Sequence, residues 1–281
     1  MRTLCVVTVA CSILTGWAAG ASAAGRKPVK VAYREGTGVV QPGATDGFTL
    51  TCPRAEPNAI GGYFGTDSRA SAAAVTLTES APPGSKIGRK WVVGVKDLTD
   101  QPQSYFAGAV CASGGPYVAA FHNGAVDAGG TDGFNAKCPR AAPNAVAGIV
   151  YTTAKQDTGQ LELATSVAGA HSWATELQNT SAQSQPFVSG AVCASTKVRV
   201  KYLESDASSV QPGAMDSAAG NCPRAAPHAA GGGFGIPASD PFGDVTVAGS
   251  FPTGKGRGWD VTVANQGTVP RGYFAGVVCL G

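Results

Sequence analysis

Two residue types recur at fixed spacing and could meet a ligand. A tryptophan lies 20 residues before each of three cysteines: Trp91 before Cys111, Trp173 before Cys193 and Trp259 before Cys279. An arginine follows a Cys-Pro pair three times, at Arg54, Arg140 and Arg224. A tryptophan presented once per module offers a flat apolar face on which a sugar ring stacks. The alternative is a core tryptophan packed beside a disulfide. The alternation of Trp259, Val261 and Val263 places the ring on the apolar side of a strand, which points to the core role. The three arginines either pair with an acid of their own unit or present three equivalent cations to a partner.

Asp46, Asp132 and Asp216 lie six residues before Cys52, Cys138 and Cys222. In this Gly-rich setting an aspartate bonds its own backbone in an Asx-turn, and no further carboxylates follow at calcium-loop spacing. Asn58, Asn144 and His228 share a position expected to be a turn that tolerates positive φ.

Catalysis finds little support in the residues. None of the three histidines, His122, His171 and His228, recurs between the copies. No Gly-x-Ser-x-Gly elbow, His-Glu-x-x-His pair or phosphate loop is present. No cysteine lies two residues from another, so a zinc site is not expected, nor any cofactor. A hydrolase stays open only because paired carboxylates meet in space and not in sequence.

The elements that must position these residues come as three copies of one unit. Cys52-Pro53-Arg54-Ala55 returns as Cys138-Pro139-Arg140-Ala141 and Cys222-Pro223-Arg224-Ala225, and each unit closes on a Gly-Ala-Val-Cys or Gly-Val-Val-Cys ending. The units run over residues 29–113, 114–195 and 196–281, after a signal peptide at 1–23 and a stub at 24–28. The signal reading rests on Arg2, the apolar run from Leu4 to Leu14 and the small residues Ala21-Ser22-Ala23. That run is too short to span a bilayer.

Within a unit the hydrophobic period is two, as in Val198, Val200 and Tyr202 against Lys197, Arg199 and Lys201. About six strands per unit and no helical period predict an all-β chain of three sandwich-like or flattened-barrel repeats. The junction Cys111-Ala112-Ser113-Gly114 leaves almost no linker, favouring units packed around a pseudo-threefold axis over beads on a string.

Of 8 cysteines, Cys5 and Cys11 fall in the signal. Any pairing of the other six between units would break the repeat, so the expected disulfides are Cys52–Cys111, Cys138–Cys193 and Cys222–Cys279. Each closes a loop worth roughly 4 kcal/mol in the chain-entropy model, and the oxidising compartment they need is extracellular. Without Arg2 the chain carries 20 basic and 18 acidic residues, a net charge of +2 that points to neither nucleic acid nor an anionic membrane.

The pattern Cys222-Pro223, Gly231-Gly232-Gly233-Phe234, Trp259 to Asn265 and Phe274 to Cys279 resembles disulfide-tied, Gly-rich β-repeats of secreted actinobacterial proteins. This chain departs from it in the Arg-Ala-x-Pro that follows each Cys-Pro. The resemblance implies a β-rich secreted scaffold of bacterial origin and transfers no functional residue. The expectation is a non-enzymatic secreted or cell-surface binding protein that recognises cell-wall or other glycans multivalently. The alternative is a protease inhibitor or partner of an extracellular enzyme, using the segments that differ most between units: Thr66 to Ala73, Thr152 to Gln160 and Gly235 to Asp244.

Overall fold

A computed structural model describes residues 28–66, 75–152, 161–205, 208–236 and 244–281. The signal segment and most of the three variable segments lie outside the described residues. Every regular element among those described is a strand. Unit 1 holds β1 (Val31–Val40), β2 (Thr45–Thr51), β3 (Asn58–Thr66), β4 (Val75–Ala81), β5 (Lys90–Asp97) and β6 (Gln103–Ala112). Unit 2 repeats them as β7 (Tyr117–Val126), β8 (Thr131–Lys137), β9 (Asn144–Thr152), β10 (Leu161–Ala168), β11 (Ser172–Asn179) and β12 (Gln185–Ala194). In unit 3 the first strand comes in two pieces, β13 (Val200–Glu204) and β14 (Ser208–Val210). Then follow β15 (Met215–Asn221), β16 (His228–Gly235), β17 (Val245–Thr253), β18 (Gly258–Asn265) and β19 (Arg271–Leu280).

Each unit is a pair of three-stranded half-sheets, and no half-sheet stands alone. The strand orders are β1-β6-β3-β17-β18-β15, β13-β19-β16-β10-β11-β8 and β2-β5-β4-β9-β12-β7. Each large sheet is therefore built from two units. Unit 1 joins unit 2 through β4 and β9, unit 2 joins unit 3 through β10 and β16, and unit 3 returns to unit 1 through β17 and β3. The pairs at these seams are equivalent: Ser80 with Val150, Ser166 with Phe234 and Ser250 with Phe64. A cycle of three like seams is what rotation about a threefold axis produces, so the units form a closed ring, the packed arrangement that the short junctions favour. The ring also covers strand edges that would otherwise recruit other chains.

Small residues make the closure possible. At the axis, a Cβ on Gly61 would lie 3.1 Å from the Ala147 Cβ and 3.3 Å from the Ala230 oxygen, and one on Gly231 would lie 2.9 Å from the Val146 oxygen. Gly61, Ala147 and Gly231 are the same position in the three units, and nothing larger than alanine stands there.

The predicted disulfides are formed, with Cα–Cα distances of 5.5 Å for Cys52–Cys111, 5.6 Å for Cys138–Cys193 and 5.6 Å for Cys222–Cys279. Each pins the turn after β2, β8 or β15 to the closing strand in the opposite half-sheet. The half-sheet that carries each tryptophan also holds a β-bulge, between Leu77 and Glu79, Leu163 and Thr165, or Val247 and Gly249. The extra residue shifts the alternation by one, so Ser80 comes to lie opposite the inward-facing Val93.

Candidate functional site

The serines just past the bulges receive the tryptophans. Trp91 Nε1 donates to Ser80 Oγ at 3.1 Å, Trp173 to Ser166 at 2.9 Å and Trp259 to Ser250 at 2.8 Å. The rings are 0, 2 and 2% exposed. Each indole lies against a glycine of the facing half-sheet (Gly62, Gly148 or Gly232), where a Cβ would collide with the ring. A sugar platform needs an open ring face, and these rings have none. The platform reading of Trp91, Trp173 and Trp259 is therefore corrected to a core role, in which a large apolar ring is buried and its N–H satisfied. A cavity of about 50 Å³ on the axis is bordered by Gly62, Ser80, Gly148, Ser166, Gly232 and Ser250. It has room for ordered water but not for a polymer segment.

The arginines take the opposite position. Arg54, Arg140 and Arg224 are exposed and form no ion pair among the described residues. The turn that carries each is tied to the hairpin between the fourth and fifth strands of its unit. The Cys52 N–H donates to Arg89 O at 2.7 Å, Cys138 N–H to His171 O at 2.9 Å and Cys222 N–H to Arg257 O at 2.7 Å. Each turn thus brings its arginine beside a second basic residue, Arg89, His171 or Arg257, all of them exposed. Lys86 and Lys90 in unit 1 and Lys255 in unit 3 are further exposed cations on or beside the same hairpins. Equivalent positions in a threefold ring sit at one height on the axis, so the three arginine turns are related by rotation about it. His228, next to Arg257, is held below the usual imidazole range by burial and then by that guanidinium.

The aspartates are not in the expected turns. Asp46, Asp132 and Asp216 lie on strands β2, β8 and β15, and each Oδ1 accepts the next residue's N–H at 2.8, 2.8 and 2.9 Å. In two units the other oxygen is taken by a phenol: Tyr105 donates to Asp46 at 2.7 Å and Tyr273 to Asp216 at 2.8 Å. Unit 2 has Phe187 in that place, and its His122 stacks on Phe134 with centroids 3.6 Å apart. The pairing of Arg54 with Asp46, one of the two roles open to the arginine, is thereby replaced by a tyrosine contact. Asn58, Asn144 and His228 also differ from expectation. They begin strands β3, β9 and β16, and Lys255 (φ 60°) is the non-glycine with positive φ among the described residues. Asn58 Nδ2 donates to Ala112 O at 3.0 Å, which anchors the strand start.

Asp46 and Glu79 border one open depression of about 400 Å³, with Thr45, Thr78 and Thr152. Burial pushes the Glu79 carboxyl up. This pair does not recur, since Thr165 and Gly249 take the place of Glu79. No group of three or more His, Cys, Asp and Glu side chains gathers among the described residues. No helix among them is long and apolar enough to cross a membrane.

The signal for the arginine turns was the Cys-Pro-Arg repeat itself. The indole–serine and phenol–aspartate bonds are also repeats, but the bulge hides the first and Phe187 interrupts the second.

No family model matches the chain, and no curated protein matches it. Among solved structures it is similar to one described as "The Triple Jelly Roll Fold and Turret Assembly in an Archaeal Virus". The identity is 8% over 90% of this chain and 89% of that one, with a TM-score of 0.19, a level on which nothing further is built. The class defined by the chain's own geometry is an all-β ring of three disulfide-tied units sharing three sheets.

Proposed function

We propose that this is a non-enzymatic extracellular binding protein that docks one side of its ring on a repetitive anionic polymer, such as a cell-wall or other acidic glycan. The observation that carries the reading is the set of exposed arginines Arg54, Arg140 and Arg224, repeated at one height on the ring, each beside a second basic group. A guanidinium presents a planar fork of donors that suits carboxylate and phosphate. Three such forks on one rigid body convert weak single contacts into avidity. The disulfides fit an oxidising, extracellular setting.

The test is co-sedimentation of the purified protein with insoluble cell-wall and polysaccharide preparations, with R54A, R140A, R224A and the triple variant compared. Salt-sensitive binding that weakens a few-fold in each single variant and disappears in the triple variant supports the reading. Equal binding by the triple variant, or no binding to any polymer, sinks it. Enrichment of a single secreted protein from culture fluid in place of polymer would move the function to the inhibitor or partner reading.

A further inference from the structure

Strands β5, β11 and β18 end on homologous side chains: Asp97, Asn179 and Asn265. All three are buried, at 0, 0 and 2% exposure. Their backbone N–H groups donate to matching carbonyls, Ala44 at 3.1 Å, Gly130 at 2.9 Å and Ala214 at 3.0 Å. Their Oδ1 atoms make matching bonds too. Asp97 Oδ1 accepts from Thr99 N and Thr99 Oγ1, both at 2.7 Å. Asn179 Oδ1 accepts from Ser181 N at 2.9 Å and Ser181 Oγ at 2.7 Å, and Asn265 Oδ1 accepts from Gly267 N at 2.9 Å. The three side chains are superimposable in their bonding, which fixes where the remaining atom of each must lie.

That atom differs. Asn179 Nδ2 donates to Val126 O at 3.0 Å, Asp127 O at 3.1 Å and Gln183 O at 2.7 Å. Asn265 Nδ2 donates to Val210 O at 3.0 Å and Val269 O at 2.8 Å. In unit 1 the residues at those positions are Val40, ending the first strand, and Gln101, four residues past Asp97. Gln101 O already accepts from Gln103 Nε2 at 3.0 Å and from Thr99 Oγ1 at 2.9 Å. Asp97 offers only an oxygen here, and its Oδ2 is buried with no hydrogen-bond partner. An acceptor has replaced a donor among carbonyls that are themselves acceptors. A buried carboxylate oxygen left in that state is strongly unfavourable.

A positive centre in place of the amide group would reconcile all of these oxygens. We infer that the end of β5 is a site for a small hard cation, held by Asp97 Oδ2 with the main-chain oxygens of Val40 and Gln101. A single carboxylate with carbonyl oxygens is the ligand set of Na⁺ or of weakly held Ca²⁺. The charge count places Ca²⁺ affinity on the order of 10⁻⁴–10⁻³ M, as in extracellular modules. Neither of the other units has such a site, because the asparagine amide fills it.

Thermal melts of the purified protein in a choline chloride buffer with chelator, titrated separately with Na⁺, K⁺, Mg²⁺ and Ca²⁺, test this. The melting temperature of the unaltered protein should rise saturably with Na⁺ or Ca²⁺. D97N should melt at or above the ion-loaded value and respond to none of the four. N179D, which copies the unit 1 chemistry into unit 2, should add a second cation-dependent rise and keeps the test open should D97N fail to fold. No cation response in the unaltered protein, or an undiminished response in D97N, overturns the site.

Discussion

At the scale of single residues, the indole, the serine and the glycine of each unit act as one packing device. The glycine's missing side chain lets the indole edge of Trp91 press against the facing half-sheet, and the bulge delivers Ser80 to its N–H. The two halves fail in different ways. S80A strands a buried N–H, and removal of such a partner costs about 1–3 kcal/mol. The small axial cavity alongside gives water a route to the orphaned group, so S80A should fall at the low end of that range. G62A instead drives a methyl group into a fully buried ring, and overpacking of that kind costs about 1–3 kcal/mol or more. Urea unfolding should therefore rank G62A as the more damaging change. The opposite order would mean that the ring can shift, and that the core is looser at the axis than its burial indicates.

At the scale of elements, the seams between units are latched by tyrosines, but only two of three. Tyr33 of β1 reaches across to unit 3, donating to Ala229 O at 2.7 Å, with Gly256 O at 3.1 Å. Tyr202 of β13 reaches unit 2, at Ala145 O (2.8 Å) and Ala170 O (3.0 Å). Their strand partners Val110 and Val278 each stand one residue before a closing cysteine. The third such valine, Val192, pairs with Ala119. An alanine cannot reach over, and the matching glycine shows it: Gly256 is buried under the Tyr33 ring, whereas Gly88 is exposed with nothing within 4 Å of its Cβ direction. A119Y should rebuild the missing latch over Ala59 and Gly88 and raise the melting temperature by a few degrees, the equivalent of about 1 kcal/mol in a chain of this size. Y33F should lower it by a similar amount. A119Y without effect would show that the unit 1–unit 2 seam is held by its strand pairing alone. These latches also mark how far the sequence could be read. The strands, the three units and the disulfide partners follow from period-two alternation and from cysteines that repeat, both of which are local or self-consistent signals. Tyr33 and Tyr202 look like ordinary half-buried strand residues, because their partners are main-chain oxygens with no side-chain signature. The bulges are equally silent, since one extra residue in β4, β10 or β17 leaves no break in composition.

At the scale of the whole molecule, sharing every large sheet between two units makes the ring a single cooperative body. A lone unit would expose two unpaired edges, β3 and β4 in unit 1, along with the small apolar residues that meet at the axis. A disulfide per unit restricts the unfolded chain but supplies neither missing seam. The melting behaviour should follow from the seams and not from the units. Scanning calorimetry should give one transition whose calorimetric and van't Hoff enthalpies agree. Removal of residues 196–281 should not leave a stable two-unit protein. That truncation would bare β3 on one side and β10 on the other, and exposed edges of that kind recruit further chains. Light scattering of the truncated chain should report aggregation or higher oligomers, where the full chain gives one species. Three separable transitions in the full chain, or a monomeric and well-folded truncation, would mean that the units stand alone. The arginines would then sit on independent modules, and the rigid presentation on which avidity depends would be lost.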